Sequence, residues 1–397
     1  MLLLALNLLA ASARAQTFKV LHSFSLGDGT NPIESLVLDT AGNLYGIAPY
    51  GGIFDENCNP EFGGGTVFKL DADGRFRLLH AFDNKGDGCG PLSLIEDAAG
   101  NLYGTTTWNT SSNFTGGGTA FKIDTTGKFK VMHTFQSASE GSSPNGLIRD
   151  VRGNLYGTTQ LGGDTECNNG MGCGTAFQLD VSGKESVLYS FTASPDGFQP
   201  QSGLVRDARA SGNFYGTTTN GGNSSCSNGC GTVFKVNKPG IETLLYTFMG
   251  GADGANPLTG TLLWDQSKDA LYGTASNGGD LTCNSGLGCG VIFEVLGSGT
   301  ETVLHTFHGA DGSSPVGTLI RDRSGSFYGT TVGGGKYGYG TAFKLDPAGN
   351  LTVLHDFNNS DGTLPWAGLI FDGSGNLYGT TQAGGANGYG TIFEITH

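Results

Sequence analysis

The segment Gly153-Asn-Leu-Tyr-Gly-Thr-Thr159, followed by Gly162-Gly163 and then Gly174-Thr-Ala-Phe177, decides the fold because it is one copy of several. A Tyr-Gly pair preceded by Leu or Phe recurs at Tyr45, Tyr103, Tyr156, Tyr215, Tyr272, Tyr328 and Tyr378, at intervals of 58, 53, 59, 57, 56 and 50 residues. Each is followed by Gly-Thr-x-Phe or a near copy, ending at Phe68, Phe121, Phe177, Phe234, Phe293, Phe343 and Phe393. A Leu-[His/Tyr]-x-Phe segment such as Leu304-His305-Thr306-Phe307 recurs in six copies. An Asp-Gly-x-x-Pro element and a Leu-[Ile/Val/Leu]-x-Asp element complete the cycle. Self-similarity at a near-constant period marks a repeat architecture, here of seven units.

Each unit holds four short runs rich in β-branched and aromatic residues. In the third they span residues 147–150, 154–159, 174–179 and 186–191. Every run has strand length and is bounded by Gly, Asn, Asp or Pro. Asp150-Val-Arg-Gly-Asn and Asp180-Val-Ser-Gly-Lys read as tight hairpin connections. No helical periodicity of useful length is present. The fold class is therefore all-β: a seven-bladed β-propeller with four antiparallel strands per blade. The ends are complementary fragments of one unit. Phe18-Lys-Val-Leu-His-Ser-Phe24 is a lone fourth strand, and Gly390-Thr-Ile-Phe-Glu-Ile395 is a third strand with no fourth after it. Pairing the two closes the ring and removes the edge strands that invite aggregation. A solenoid needs atypical capping repeats instead.

Among the 397 residues, 35 Asp and Glu against 21 Lys and Arg give a formal net charge of −14. That balance argues against nucleic acid or anionic membrane as partner, because both recruit Lys and Arg. The 70 Gly would permit low complexity, but 24 Phe, 13 Tyr and 3 Trp supply the apolar surface that disordered chains lack. Residues 1–15, MLLLALNLLAASARA, hold an apolar run too short to span a bilayer, followed by the small-x-small pattern of a secretory signal. Residues 16–397 are expected to form a single propeller domain, released rather than membrane-held and acting as a monomer. Eight Cys suit an oxidising compartment. Cys167 and Cys173, Cys226 and Cys230, and Cys283 and Cys289 are close pairs joined by Gly- and Asn-rich spacers, each expected to form a disulfide. Cys58 and Cys89 remain. Both fall in loops expected on one face, at the first blade and its exit, so they are predicted to bond to each other. Zinc needs four ligands converging on one point, and pairs this far apart do not supply them.

The unit resembles the Gloeobacter/Verrucomicrobium-type tandem repeat of secreted bacterial proteins, through Gly153–Thr159, Gly162-Gly163, Gly174–Phe177 and six cognates. The resemblance covers nearly all of residues 16–397. It implies an exported repeat protein and implies no particular chemistry. The copies depart from the pattern in places. The second unit lacks the Gly-Gly, and the fifth has Thr274-Ala275 for Thr-Thr and Gly290-Val291 for Gly-Thr.

Propeller connectivity sorts the loops onto two faces. The turns between first and second and between third and fourth strands are short and uniform. The second-to-third loops and the links between blades hold all eight Cys and the length variation. Binding residues sit on variable loops carried by a rigid scaffold, so any site is expected on that second face, around the mouth of the channel. Seven acids recur there, Asp28, Asp87, Glu140, Asp196, Asp253, Asp311 and Asp361. They read either as a carboxylate ring for a cationic or polyhydroxyl ligand or as turn chemistry with local N–H bonds. Asp55-Glu-Asn57-Cys-Asn59 resembles a calcium loop but lacks its sixth-position Gly and distal Glu. Calcium is the one ion the sequence raises, and no other metal or cofactor is expected.

Residues that break the repeat are more informative. Tyr50, Trp108, Tyr337, Tyr339, Trp366 and Tyr389 lie in second-face segments where their units differ from the rest. Flat rings beside carboxylates suit sugars, so these six, with Asp28, Asp87, Asp311 and Asp361, are the ligand-binding candidates. His22, His80, His133, His305 and His355 share one position with Tyr189 and Tyr246, an interchange that suits an outer-strand role better than catalysis. The G-x-S-x-G, G-x-x-x-x-G-K-[ST] and H-E-x-x-H motifs are absent. The sequence favours a secreted binding or scaffold propeller recognising a glycan or an extracellular protein. A secreted carbohydrate-active hydrolase or lyase with its site at the channel mouth is the alternative.

Overall fold

The computed structural model describes residues 16–55, 58, 61–108, 117–136, 139–207 and 212–396. The expected signal segment, residues 1–15, lies outside them, as do residues 56, 57 and 59 of the calcium-like loop. The described residues form seven antiparallel sheets in a ring, each a blade. In the third blade the strands are Ser142–Arg149, Leu155–Leu161, Thr175–Leu179 and Glu185–Ser190, from the channel outward. The innermost strand begins earlier than the sequence predicts. Ser142 and Pro144 pair with Leu161 and Thr159, and after an irregularity the ladder resumes at Leu147–Gly157. In the sixth blade the same strand is split into Ser313–Pro315 and Ile320–Arg321, both paired with Phe327–Gly333.

The repeated residues form one hydrogen-bonded and packed unit. The middle strands are buried on both faces, which is why they read as nearly continuous apolar or Thr runs. The Phe177 ring lies across Gly157 of the neighbouring strand. A Cβ on Gly157 would sit 2.8 Å from that ring and 2.9 Å from the Gly146 carbonyl, so the Tyr-Gly pair needs its Gly for close approach. The Tyr156 hydroxyl donates to Asp150 at 3.1 Å. Asp150 also accepts the backbone N–H groups of Arg152 and Asn154 in the first turn. The Thr159 and Thr175 hydroxyls bond each other at 2.9 Å, and Thr175 donates to the Glu140 carbonyl. Thr158 reaches the next blade, donating to the Ser202 carbonyl at 2.8 Å. The fifth unit's two departures are coupled: Ala275 and Val291 are cross-strand partners, so both hydroxyls of the pair are replaced together.

The ring closes as the split repeat requires. Thr17–Ser23 pairs with Thr391–Thr396 as the outer strand of the seventh blade, from Thr17–Thr396 to Ser23–Thr391 with a register shift between Val20 and His22. Phe18 then stacks on His355 of the sixth blade at 3.7 Å, and His22 on Phe76 of the first at 4.0 Å. No helix among the described residues is long and apolar enough to cross a membrane.

Four disulfides link all eight Cys. Cys58 bonds Cys89 across a Cα–Cα distance of 5.8 Å, joining the first blade's long loop to the link that leaves it. Within the second-to-third loops, Cys167 bonds Cys173, Cys226 bonds Cys230 and Cys283 bonds Cys289, with Cα–Cα distances of 5.8, 5.2 and 4.9 Å. The sequence places all these Cys in the loops of the site-bearing face, but the second member of each local pair is a core residue. Cys173 is fully buried in the cluster that holds Tyr156, Phe191 and Phe214. Cys289 is likewise buried beside Phe307 and Phe327, and Cys230 beside Phe248 and Phe293. Each stands immediately before the Gly that opens the third strand, where the loop has already turned down into the blade. These bridges therefore fasten loops to the core, and Cys173 and Cys289 serve packing rather than contact with a ligand.

Candidate functional site

The repeated acids belong to the blades. Asp87 meets His80 at 2.8 Å, Asp311 meets His305 at 2.8 Å, Asp361 meets His355 at 3.2 Å and Asp28 meets His22 at 3.4 Å. Tyr189 and Tyr246 donate to Asp196 and Asp253 at 2.6 and 2.9 Å. A ring N–H and a phenolic O–H do the same work here, which explains the His/Tyr interchange. Backbone N–H groups of Ser25, His308 and Asn358 also donate to Asp28, Asp311 and Asp361. Asp87, Asp196, Asp253, Asp311 and Asp361 thus tie the start of a link to the outer strand before it. Among the described residues, no group of three or more His, Cys, Asp or Glu is placed to hold a metal ion.

The channel mouth on the disulfide face holds a cavity of about 270 Å³. Tyr50 and Trp108 form one wall. They occupy equivalent positions in adjacent blades, where each extends its second strand to pair with a link residue, Thr30 and Cys89 respectively. Their ring centroids are 6.3 Å apart at a tilt of 35°. Gly90 makes room for the indole: a Cβ there would lie 2.8 Å from the Trp108 ring. Burial raises the pKa of the Tyr50 hydroxyl. Lining the same cavity are the amides of Asn31, in the link into the first blade, Asn145 and Gln160 of the third blade, Gln201 of the link into the fourth, and Gln382 of the seventh. None of the residues lining the cavity is charged at neutral pH.

The other aromatic candidates take separate positions. Tyr337 and Tyr339 are 49% and 42% exposed on the sixth blade's loop, with Lys336 Nζ 5.0 Å from the Tyr337 ring. Tyr389 packs on the core cluster under the first and seventh blades, and its carbonyl accepts the Asn31 N–H at 3.2 Å. Trp366 follows Pro365 in the stretch leading to the seventh blade's innermost strand, and its Nε1 is buried with no acceptor among the described residues. Tyr50 therefore meets Trp108 and Phe62, and among the described residues no ring contact joins it to Tyr337, Tyr339, Trp366 or Tyr389.

Sequence reasoning missed the five amides and Glu34. For Asn145 and Gln201 a signal was available in the register of the repeat: the residue after the link proline is Ile33, Leu92, Asn145, Gln201, Leu258, Val316 or Trp366, so it varies behind an invariant Pro. Glu34 adjoins Ile33, which lines the cavity, and no other unit carries an acid in this stretch. Glu34 is half-buried, and among the described residues its carboxylate accepts one long hydrogen bond, from the Ser35 N–H at 3.3 Å. Burial pushes its carboxyl up to about 8, so it is mostly neutral at pH 7.

The architecture is shared with enzymes of known structure. A streptogramin B lyase superposes with a TM-score of 0.62 at 12% identity, covering 96% of this chain and 97% of that one. Virginiamycin B lyase from Staphylococcus aureus with quinupristin gives 0.60 at 13% identity, covering 96% and 99%. The extracellular domain of a one-component system from B. thetaiotaomicron gives 0.56 at 11% identity, covering 94% of this chain and 39% of that one. Identities this low carry the fold and no more. No curated protein matches the chain in sequence. The profile of the Gloeobacter/Verrucomicrobia repeat matches residues 8–166, 57–287 and 281–397, and the chain belongs to that repeat family.

Proposed function

We propose that this propeller is an exported binding protein that takes an uncharged polyhydroxyl ligand, a glycan, at the channel mouth on its disulfide face. The carrying observation is that the Tyr50–Trp108 pair lines one cavity with amides of the third, fourth and seventh blades and Asn31. Aromatic faces offer apolar contact to sugar C–H groups, while Asn and Gln both donate and accept hydrogen bonds. At about 270 Å³ the mouth lies just below the usual small-molecule range of about 300–1,000 Å³, so it suits a single sugar residue at a chain end. Tyr337 and Tyr339, exposed on the sixth blade's loop, offer further ring contact to a longer glycan. The disulfides and the residue 1–15 segment support export.

Glu34 favours a second reading, a carbohydrate-active hydrolase or lyase, because a carboxyl held neutral at pH 7 is a general acid. Glycosidases need a second carboxylate within about 5–10 Å, and the lining of this cavity supplies none. Binding is the stronger reading. A glycan array on residues 16–397, followed by calorimetry, tests it. Trp108→Ala and Gln201→Ala are each expected to weaken the selected glycan about tenfold without changing the fold. Affinities equal to wild type in both variants would overturn the site. Turnover lost in Glu34→Gln with binding retained would favour the enzyme.

A further inference from the structure

A groove lies between the second and third blades on the opposite face, among the short Asp-x-x-Gly turns. Its volume is about 330 Å³, within the range of small-ligand sites. Lys122, Lys128 and Lys130 of the second blade and Arg149 of the third line it, with Asp124 as the one acid. In a chain of net charge −14, this is a local reversal of sign.

The groove's three Lys are also unneutralised, unlike the cations of the neighbouring seam. At the equivalent place in the first blade, Lys69 sits 3.0 Å from Asp71, Arg75 sits 3.4 Å from Asp73, and Arg77 also pairs with Asp71. Among the described residues, Lys122, Lys128 and Lys130 have no carboxylate within 4.0 Å, and Arg149 reaches Asp97 only at 3.9 Å. Asp124 directs its carboxylate to its own turn, accepting the Thr126 hydroxyl and the backbone N–H groups of Thr126 and Lys128. The Lys122 Nζ and the Arg149 guanidinium each lie 5.4 Å from the centre of the Tyr103 ring, which places both heads around one side chain. Four like charges gathered by a rigid seam repel one another until an anion enters. Lys supplies point charges and Arg a planar fork, both suited to oxyanions. The adjoining seam is lined by Asp39, Glu96 and Asp97, which would repel a long polyanion running across the face.

We propose that this groove binds one compact oxyanion — a sulfate, phosphate or carboxylate, free or carried on a sugar. The test is calorimetry on residues 16–397 with inorganic sulfate, inorganic phosphate, glucuronate and glucose 6-phosphate, with neutral glucose as control. A single site is expected, with affinity falling as salt rises. Lys128→Gln with Lys130→Gln, both exposed positions, is expected to weaken binding about tenfold or more. Lys235→Gln, the fourth-blade counterpart of Lys122, should leave it unchanged. Tighter binding of the sugar-borne anions assigns the ligand to a saccharide, and equal affinities assign it to the free ion. The proposal fails if none of the four anions binds, if the double variant binds as wild type does, or if Lys235→Gln weakens binding equally.

Discussion

Leu364 shows how strictly the links between blades are built. The residue before each link proline has a positive φ: Asn31 at 61°, Gly90 at 65°, Ser143 at 54°, Gln199 at 56°, Asn256 at 52°, Ser314 at 52° and Leu364 at 56°. Its N–H donates to the carbonyl before the third strand of the preceding blade, as Leu364 does to Tyr339 at 3.0 Å and Asn256 to Cys230 at 2.7 Å. The buried Cys173 and Cys289 take the same part, accepting the N–H groups of Gln199 and Ser314 at 2.9 and 2.8 Å. Asn tolerates this left-handed conformation, whereas a bulky side chain loses about 1–2 kcal/mol there. Leu364→Asn copies the first and fifth links and keeps the backbone bonds. It is expected to raise unfolding stability by about 1 kcal/mol, read as a higher urea midpoint. An unchanged or lower midpoint would show that Leu364 contributes packing that outweighs its backbone strain.

A blade is held by coupled residues rather than by independent ones. The Thr159–Thr175 pair is buried, and its counterparts Thr106–Thr119, Thr218–Thr232, Thr331–Thr341 and Thr381–Thr391 sit at 2.8–2.9 Å. The fifth blade replaces both partners at once, with Ala275 opposite Val291. Each hydroxyl also donates to a backbone carbonyl, Thr159 to Leu161 and Thr175 to Glu140. A single substitution therefore removes the shared bond and leaves the remaining hydroxyl one partner, as in the first blade, where Thr66 faces Ala48 and donates to the Asp28 carbonyl. Thr159→Ala alone and Thr175→Val alone are each expected to cost about 1 kcal/mol. The double variant, which copies the fifth blade, should cost less than their sum. A double-mutant cycle on urea unfolding measures the coupling, and strict additivity would mean the pair acts as two separate bonds.

At the scale of the molecule, two properties follow from the ring. Residues 16–24 form the outer strand of the last blade and stack on both neighbours. Deleting them exposes the Thr391–Thr396 edge. Differential scanning calorimetry is expected to show Tm falling by about 10 °C or more, with concentration-dependent aggregation. A deletion that melts like residues 16–397 would refute closure. The second property is a pH dependence. Glu185, Glu242 and Glu301 occupy the same outer-strand position at three consecutive seams. Burial, then the nearby Glu140, Asp196 or Asp253, pushes each of their carboxyls to about 7, and Glu34 is pushed to about 8. A folded pKa above the unfolded value means the native state binds more protons, so stability falls as pH rises from about 4.5 to about 8. Urea midpoints should therefore be higher at pH 5 than at pH 8, and Glu185→Gln should flatten the slope.

The period of the Tyr-Gly and Gly-Thr-x-Phe motifs was enough to establish seven blades, four strands in each and closure by Phe18–Phe24, because a local pattern repeated along the chain carries its own topology. The Cys58–Cys89 bond was legible for the same reason, since connectivity alone put both loops on one face. The local bridges were legible from spacing, but the burial of Cys173 and Cys289 was not, because it depends on how far each loop dips into its blade. The candidate site was legible only in part. Tyr50 and Trp108 stood out as departures from the repeat, but nothing in their spacing says that equivalent positions in adjacent blades bring the rings to 6.3 Å. The amides of Asn31, Asn145, Gln160, Gln201 and Gln382 meet only around the ring, across most of the chain. The pairing of His80 with Asp87, or the lack of any acid beside Lys128 and Lys130, is likewise set by side-chain direction across a seam. Repetition encodes the scaffold locally in every unit. The contents of the mouth and of the seams depend on which of seven differing copies become neighbours, and the closed ring decides that.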